Sequence, residues 1–114
     1  MALSPMTKNL IETKLTKYCE RRVPEHARSQ VRIAFKLQGN VVTLFEERPS
    51  IHHASEWTSQ VVAQFRFDPE SSKWTLYCAD RNSKWHKYLG MKPQEDVDHL
   101  LEEVDRDPTG IFWG

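Results

Sequence analysis

The chain has 114 residues, of which 39% are hydrophobic and 28% are charged, a balance typical of a globular domain and not of a disordered chain. Its sixteen Lys and Arg residues match its sixteen Asp and Glu residues, so the formal net charge is zero. No apolar run approaches the ~18 residues that a membrane helix needs, and the N-terminus lacks the basic start and apolar core of a secretory signal. We therefore expect a single domain over residues 1–114 that does not contact a membrane.

The charges are divided unevenly along the chain. Residues 93–114 hold one basic and seven acidic residues, whereas residues 1–92 hold 15 basic and 9 acidic residues. A basic body favours a polyanionic partner, but an acidic C-terminal segment could also fold over the basic surface and neutralise it. The sequence leaves both arrangements open.

A first helix is predicted from its boundary signals. Ser4 is a suitable N-cap, Pro5 suits the first helical position, and Pro24 ends the helix. Apolar residues at helical spacing predict one buried stripe: Met6, Leu10, Ile11, Leu15 and Tyr18.

A β-hairpin follows, with Gly39-Asn40 as its two-residue turn. This turn predicts the register of the two strands, because the residues on either side of it face each other. The expected cross-strand pairs are Leu37 with Val42, Phe35 with Leu44, Ile33 with Glu46, and Val31 with Arg48.

Three further strands are predicted at about 59–67, 74–79 and 84–89, and a second helix at about 94–105. If the strands form hairpins, the alternation of side chains assigns an inner and an outer face. The inner face would then hold Phe65, Phe67, Trp74, Leu76, Cys78, Trp85 and Leu89. The outer face would hold Gln64, Arg66, Thr75, Tyr77, Lys84, His86 and Tyr88. The predicted fold is α+β, with an N-terminal helix, a five-stranded antiparallel sheet and a C-terminal helix, both helices on one sheet face.

The outer face is the first candidate for function. Tyr77, His86 and Tyr88 would lie among the cations Arg66 and Lys84, and such rings stack bases while cations contact phosphates. This pattern predicts a module that binds nucleic acid or another polyanion. Aromatic residues also favour strands for reasons of packing alone, and the same face could form a homodimer or bind another protein.

A carboxylate on the inner face is the second candidate. The hairpin register places Glu46 among apolar residues, where desolvation disfavours its charge unless Arg48 pairs with it. Together with Asp80 and Lys84, Glu46 could form the acidic cluster of a metal-dependent phosphodiesterase. The histidines and cysteines show no zinc-site spacing, so we expect no metal and no cofactor, and the free thiols Cys19 and Cys78 favour the cytoplasm.

Several short motifs are spread along this chain: Glu20-Arg21-Arg22-x-Pro24, Phe45-Glu46-x-Arg48-Pro49, Trp74-x-Leu76-Tyr77, Lys84-Trp85-His86-x-Tyr88 and Phe112-Trp113-Gly114. Together they resemble the motifs of a family of small bacterial proteins that share a domain of unknown function. The resemblance runs from about residue 5 to the C-terminus and implies a bacterial, cytoplasmic protein. It implies no activity, substrate or cofactor.

Overall fold

Two helices flank a five-stranded antiparallel sheet in the computed structural model, which describes residues 3–53 and 55–113. In chain order the elements are α1 (Pro5–Arg22), a short 3-10 turn (Glu25–Ala27), β1 (Arg32–Gln38), β2 (Val41–Pro49), β3 (Trp57–Asp68), β4 (Lys73–Ala79), β5 (Trp85–Lys87) and α2 (Val97–Arg106). The strands lie in sequence order across the sheet, so each strand pairs only with the strands that precede and follow it in the sequence. The predicted α+β fold is confirmed. Within the described part of the chain, neither helix combines the length and the apolar character needed to cross a bilayer.

Helix α1 begins as predicted, because the Ser4 side chain accepts a hydrogen bond from the backbone N–H of Thr7 at 3.2 Å. Its buried residues are Ile11, Leu15 and Tyr18. The prediction for Met6 and Leu10 is wrong, since they are 82% and 53% exposed. Successive helical residues are rotated by about 100°, so Leu10 lies on the flank of the buried stripe and Met6 lies further round.

The first hairpin has the predicted register, with Leu37 opposite Val42, Phe35 opposite Leu44, and Ile33 opposite Glu46. Gly39 opens the turn at φ 58°, the left-handed conformation that a two-residue hairpin turn of this kind requires. Strand β1 starts at Arg32, so the predicted pair of Val31 with Arg48 lies beyond the paired strand.

A β-bulge interrupts the pairing of β2 with β3. Leu44 lies opposite Ala63 whereas the next residue, Phe45, lies opposite Val61, so Val62 is the extra residue. Regular strand alternation would place Val61 on the inner face with Ala63, and the bulge removes it from that face. Val62 is instead buried at 4% exposure, and Val61 is displaced to the face that carries Phe45.

The β4–β5 connection contains one more residue than the sequence interpretation assumed. Ala79 pairs with Trp85, Cys78 with His86, and Tyr77 with Lys87, so five residues, 80–84, form the loop. Because a shift of one residue moves every side chain of a strand to the opposite face, the predicted faces of β5 are reversed. Trp85 lies half-buried on the outer face, and Leu89, placed in the core by the prediction, is 89% exposed.

Helix α2 starts at Val97 and not at residue 94. The Asp96 side chain caps it by accepting from the N–H of Asp98, while Gln94 exchanges two backbone hydrogen bonds with Trp74 and extends the edge of β4. The inner face of the sheet, defined as the one that both helices cover, forms the core with the apolar sides of the helices. Its fully buried members include Leu15, Tyr18, Val42, Leu44, Phe65, Trp74, Leu76, Val97, Leu100 and Val104.

Candidate nucleic-acid interface

The outer face of the sheet is the side opposite the two helices. Strand alternation and the observed pairing assign to it Arg32, Ala34, Lys36, Val41, Thr43, Phe45, Glu47, Trp57, Ser59, Val61, Gln64, Arg66, Asp68, Lys73, Thr75, Tyr77, Ala79, Trp85 and Lys87. Nearly all of these residues are half-buried or exposed, and no helix of the described residues lies over them. The sheet therefore presents an open surface.

One row of side chains crosses all five strands at the centre of this face. The pairs that connect it join Lys36 to Thr43, Thr43 to Gln64, Gln64 to Tyr77, and Tyr77 to Lys87. With a strand spacing of about 4.8 Å, the two terminal lysines stand roughly 19 Å apart across the row. A polar and aromatic strip thus carries a cation at each end.

Hydrogen bonds hold the middle of this row in place. Gln64 Nε2 donates to Thr43 Oγ1 at 3.0 Å, and Arg66 Nε donates to Gln64 Oε1 at 2.6 Å. The Arg66 guanidinium lies over the Tyr77 ring, 3.8 Å from its centroid. Arg66 is therefore a flat, oriented cation with the remaining guanidinium N–H groups available, and it covers one side of the Tyr77 ring.

Two tryptophans occupy the same face. Arg32 lies over Trp57 at 3.5 Å from the ring centroid, an arrangement like that of Arg66 and Tyr77. Trp85 is half-buried opposite Ala79, and among the described residues no cation or second ring stacks on it. Of the two tryptophans, Trp85 is the one whose indole surface is open for stacking.

Cations outnumber carboxylates on the outer face. It carries Arg32, Lys36, Arg66, Lys73 and Lys87 against Glu47 and Asp68. Glu47 lies 4.0 Å from Arg32, but no carboxylate of the described residues lies within 4 Å of Lys36, Arg66 or Lys87. These three side chains form an uncompensated positive patch around the central row.

The acidic C-terminal segment does not neutralise this patch, because it lies on the other side of the sheet and pairs with α1. Lys14 Nζ contacts Asp96 at 2.9 Å and Asp98 at 3.1 Å, and Asp105 lies 3.6 Å from Arg22. The bond to Asp96 raises the pKa of Lys14, while the N-cap bond from the Asp98 backbone and the bond from Lys14 lower the pKa of Asp96. The acidic segment therefore pairs with part of the basic body, the cations of α1, while the basic sheet face stays uncovered.

Two residues predicted for the outer face are located elsewhere. Tyr88 is 7% exposed and turns into the core, where its hydroxyl donates to Glu103 of α2 at 2.7 Å. This bond and burial raise the pKa of Tyr88 to about 12. A Cβ at Gly90 would lie 2.7 Å from the Tyr88 ring, so the close passage of the chain requires glycine there. Tyr88 cannot stack a base unless its bond to Glu103 breaks and its ring leaves the core.

His86 is exposed, but it lies opposite Cys78, and residues directly opposite each other are on the same face of a sheet. Its side chain is therefore on the face of Cys78 and not on the outer face with Tyr77. Its Nε2 lies 2.8 Å from Asp80 Oδ2, and this bond is the main cause of a lowered pKa for Asp80. The other oxygen of Asp80 accepts from the backbone N–H groups of Asn82 and Lys84. Asp80 thus holds the turn together, and Lys84 is an exposed residue of that turn beside the outer face.

The structure does not assemble the three residues considered for metal-dependent catalysis. Glu46 is on β2, where Arg48 Nε donates to it at 2.8 Å as predicted, and β3 separates it from the turn that holds Asp80 and Lys84. Across the described ranges, no three His, Cys, Asp or Glu side chains come close enough together to hold a metal ion.

The thiols show no sign of activation. Burial raises the pKa of Cys19 to about 11 and raises the pKa of Cys78, whose Sγ donates to the backbone oxygen of His86. Both cysteines are free. At neutral pH they are protonated and poorly nucleophilic.

Sequence reasoning identified Arg66 and Tyr77 but missed Trp85, Lys87 and Lys36. The first two were missed because the loop after β4 is one residue longer than assumed. A usable signal was present in Asp80, since a carboxylate that accepts from residues two and four positions later stabilises a wider turn. Lys36 could have been found by extending the cross-strand row from the correctly predicted first hairpin.

The comparison with known families finds a match over nearly the whole chain. The family described as Domain of unknown function (DUF3024) matches residues 3–114. The chain belongs to this family. A search of curated proteins found no match, and a search of solved structures found none either.

Proposed function

We propose that the outer sheet face binds single-stranded nucleic acid. The observation that carries the proposal is the open cross-strand row, in which Lys36 and Lys87 flank the stacked pair of Arg66 and Tyr77, with Trp85 beside it. Open sheets with aromatic residues and cations are a recurrent means of binding single strands, because unpaired bases can lie flat on the surface.

Each group has a distinct part in this proposal. Trp85 stacks a base on its open indole, and a second base lies on the Arg66 guanidinium, whose plane the Tyr77 ring supports. Lys36 and Lys87 contact phosphates as point charges, since neither is already engaged by a carboxylate of the described residues. Stacking on rings and contacts between cations and phosphates do not depend on base identity, so we expect weak sequence preference.

The acidic segment supports the same proposal. Three of its carboxylates, Asp96, Asp98 and Asp105, pair with α1 on the far side of the sheet, so a polyanion that approaches the outer face meets positive charge. We further propose a cytoplasmic location, for which free Cys19 and Cys78 are suited, since reducing compartments keep thiols unpaired.

The test is a titration of a fluorescently labelled single-stranded oligonucleotide, as DNA and as RNA, at several salt concentrations. We expect the affinity to fall as salt rises, because phosphate contacts release counterions. Lys87→Gln should weaken binding and reduce the slope of log affinity against log salt by about 1. Lys17→Gln is the matched control, since Lys17 is an exposed lysine of α1 and should leave both quantities unchanged.

Three results would contradict the proposal: no binding at low salt, binding that ignores salt, or equal effects of Lys87→Gln and Lys17→Gln. The titration is repeated with added Mg²⁺ and Mn²⁺. Metal-dependent shortening of the oligonucleotide would instead indicate a phosphodiesterase, and its site would have to differ from the separated set of Glu46, Asp80 and Lys84.

A further inference from the structure

The two edges of the sheet differ in how they are closed. At one edge, β5 has only three residues, and Gln94 pairs with the part of β4 that β5 leaves uncovered. At the other edge, β1 runs for seven residues without a bulge or a proline. Proteins commonly protect edges by shortening, bulging, charging or covering them; β1 is neither short nor bulged, and it carries the charges of Arg32 and Lys36 on the outer face only.

The backbone groups at the β1 edge can be assigned from the hairpin. Gln38 and Val41 flank the two-residue turn and form a hydrogen-bonded pair, so alternate residues of β1 bond to β2. The N–H and C=O groups of Ile33, Phe35 and Leu37 therefore face the free edge. In the described part of the chain, none of these three residues makes a backbone hydrogen bond outside the sheet.

The side chains of the same three residues are incompletely covered. Ile33, Phe35 and Leu37 pack against the core but remain partly exposed. Open grooves lie between α1 and the two ends of β1, one of about 520 Å³ beside Leu37 and one of about 250 Å³ beside Ile33. The edge thus offers both unpaired backbone groups and unfinished apolar packing.

We propose that β1 pairs antiparallel with β1 of a second copy of this chain, with Phe35 opposite the Phe35 of that copy on the two-fold axis. This register brings the unpaired groups of Ile33, Phe35 and Leu37 to face those of the second copy, so their backbone hydrogen bonds are satisfied. Ile33 then lies opposite Leu37, and apolar residues meet apolar residues on the inner face.

Charge selects this register over its neighbours. With Phe35 on the axis, Lys36 lies opposite Ala34 and Arg32 lies opposite Gln38, so no two cations are directly opposed. A shift of the axis to Ala34 opposes Arg32 with Lys36, and a shift to Lys36 opposes that lysine with itself. Like charges directly opposite each other destabilise antiparallel pairs, so only the register at Phe35 combines full overlap with compatible charges.

The dimer is inferred from the β1 edge alone and does not depend on nucleic-acid binding. It has a consequence for the outer face, because residues directly opposite each other point to the same side of the sheet. The outer faces of the two copies would join into one continuous ten-stranded surface.

The first test measures the dissociation constant by sedimentation over a wide range of protein concentrations. Ala34→Lys places two symmetric like-charge pairs against Lys36 and should raise the dissociation constant by about 2- to 30-fold. Ala34→Glu should lower it by a similar factor. Ser59→Lys adds the same charge on β3, away from the edge, and should leave it unchanged, while thermal unfolding checks that every variant is folded.

Cross-linking tests the register in a Cys19→Ser background. Oxidation should link Ala34→Cys to Lys36→Cys when the two variants are mixed, since these positions are directly opposed, and should link neither variant to itself. Self-linking of Ala34→Cys or of Lys36→Cys would show one of the two shifted registers and overturn the proposal. A wild-type chain that stays monomeric at every concentration, or a dimer that ignores both Ala34 substitutions, would also overturn it.

Discussion

The two faces of the sheet are made from alternate residues of the same strands, yet they differ in almost every physical property. On the inner face, Phe65, Trp74 and Leu76 are at most 2% exposed and are sealed by both helices. On the outer face, Tyr77 and Trp85 remain half-exposed among cations. Aromatic content alone does not distinguish the faces, since each carries large rings.

The difference lies in what satisfies the polar groups. On the inner side, the hydroxyl of Tyr88, the residue that follows β5, is bonded to Glu103, and Asp96 and Asp98 pair with Lys14 of α1. On the outer side, Lys36, Arg66 and Lys87 have no such partners among the described residues. The comparison shows that one face is closed by packing and that the other is open.

The largest expected effect separates the two tryptophans. Trp74→Ala should cost ~3–5 kcal/mol of unfolding free energy, because it empties a fully enclosed site and removes the contact with Phe67. Trp85→Ala should cost about 1 kcal/mol or less, as expected for a residue outside the core. Urea denaturation measures both. Similar losses of unfolding free energy in the two variants would show that Trp85 is packed as tightly as Trp74 and would contradict an open outer face.

The second prediction concerns Tyr88. Removing its hydroxyl by Tyr88→Phe should cost about 1–3 kcal/mol, because the buried Glu103 carboxylate loses its donor. The raised pKa means that the folded state holds this proton more tightly than the unfolded state does. The stabilisation is therefore present below the ordinary pKa of 10.0 and is lost as pH rises towards about 12.

The pH dependence gives this prediction an internal control. Between pH 10 and pH 12, the wild-type chain should lose more stability than Tyr88→Phe, which has no hydroxyl to titrate at that position. The pKa of Tyr18 is also raised, by burial and by its bond to Asp105. Because both proteins contain Tyr18, its titration changes their stability equally and does not affect the difference between them. Parallel stability curves would show that the Tyr88 hydroxyl is not bonded to Glu103 in solution.

The smallest expected effect compares two neighbouring charges at the end of β2. Arg48→Ala leaves the partly buried Glu46 without its partner, whereas Glu47→Ala releases a carboxylate whose nearest cation, Arg32, is 4.0 Å away. Both losses should stay below about 1 kcal/mol, with that of Arg48→Ala the larger. Thermal unfolding of the two variants shows which of them loses more stability. A larger loss in Glu47→Ala than in Arg48→Ala would mean that Glu46 is solvated.

Features encoded in a few adjacent residues could be predicted from the sequence. Ser4 and Pro5 start α1, and Gly39-Asn40 determines the register of the first hairpin, including the position of Glu46 opposite Ile33. The motifs indicated a family that shares a domain of unknown function, and the family comparison confirmed that the chain belongs to such a family. For α1 and the first hairpin, the capping and turn residues that decide the structure are adjacent in the sequence.

Features that depend on one extra residue were missed, and only the loop, through Asp80, carried a sequence signal for it. The bulge at Val62 lies in a run of two valines that favour a strand in either phase, so packing decides which one is buried. The loop after Ala79 has five residues because Asp80 caps it and Ser83 adopts a positive φ of 61°. Because the loop has one residue more than predicted, Trp85 and Lys87 lie on the outer face, and His86 and Tyr88 do not.

The affinities of Trp85→Ala and His86→Ala for a single-stranded oligonucleotide test the central claim most directly, because these adjacent residues of β5 lie on opposite faces. We expect Trp85→Ala to weaken binding by ~1–3 kcal/mol, the value of one stacked base, and His86→Ala to bind as the wild-type chain does. Equal weakening by both variants, or weakening by His86→Ala alone, would contradict the assignment of the binding surface to the outer face.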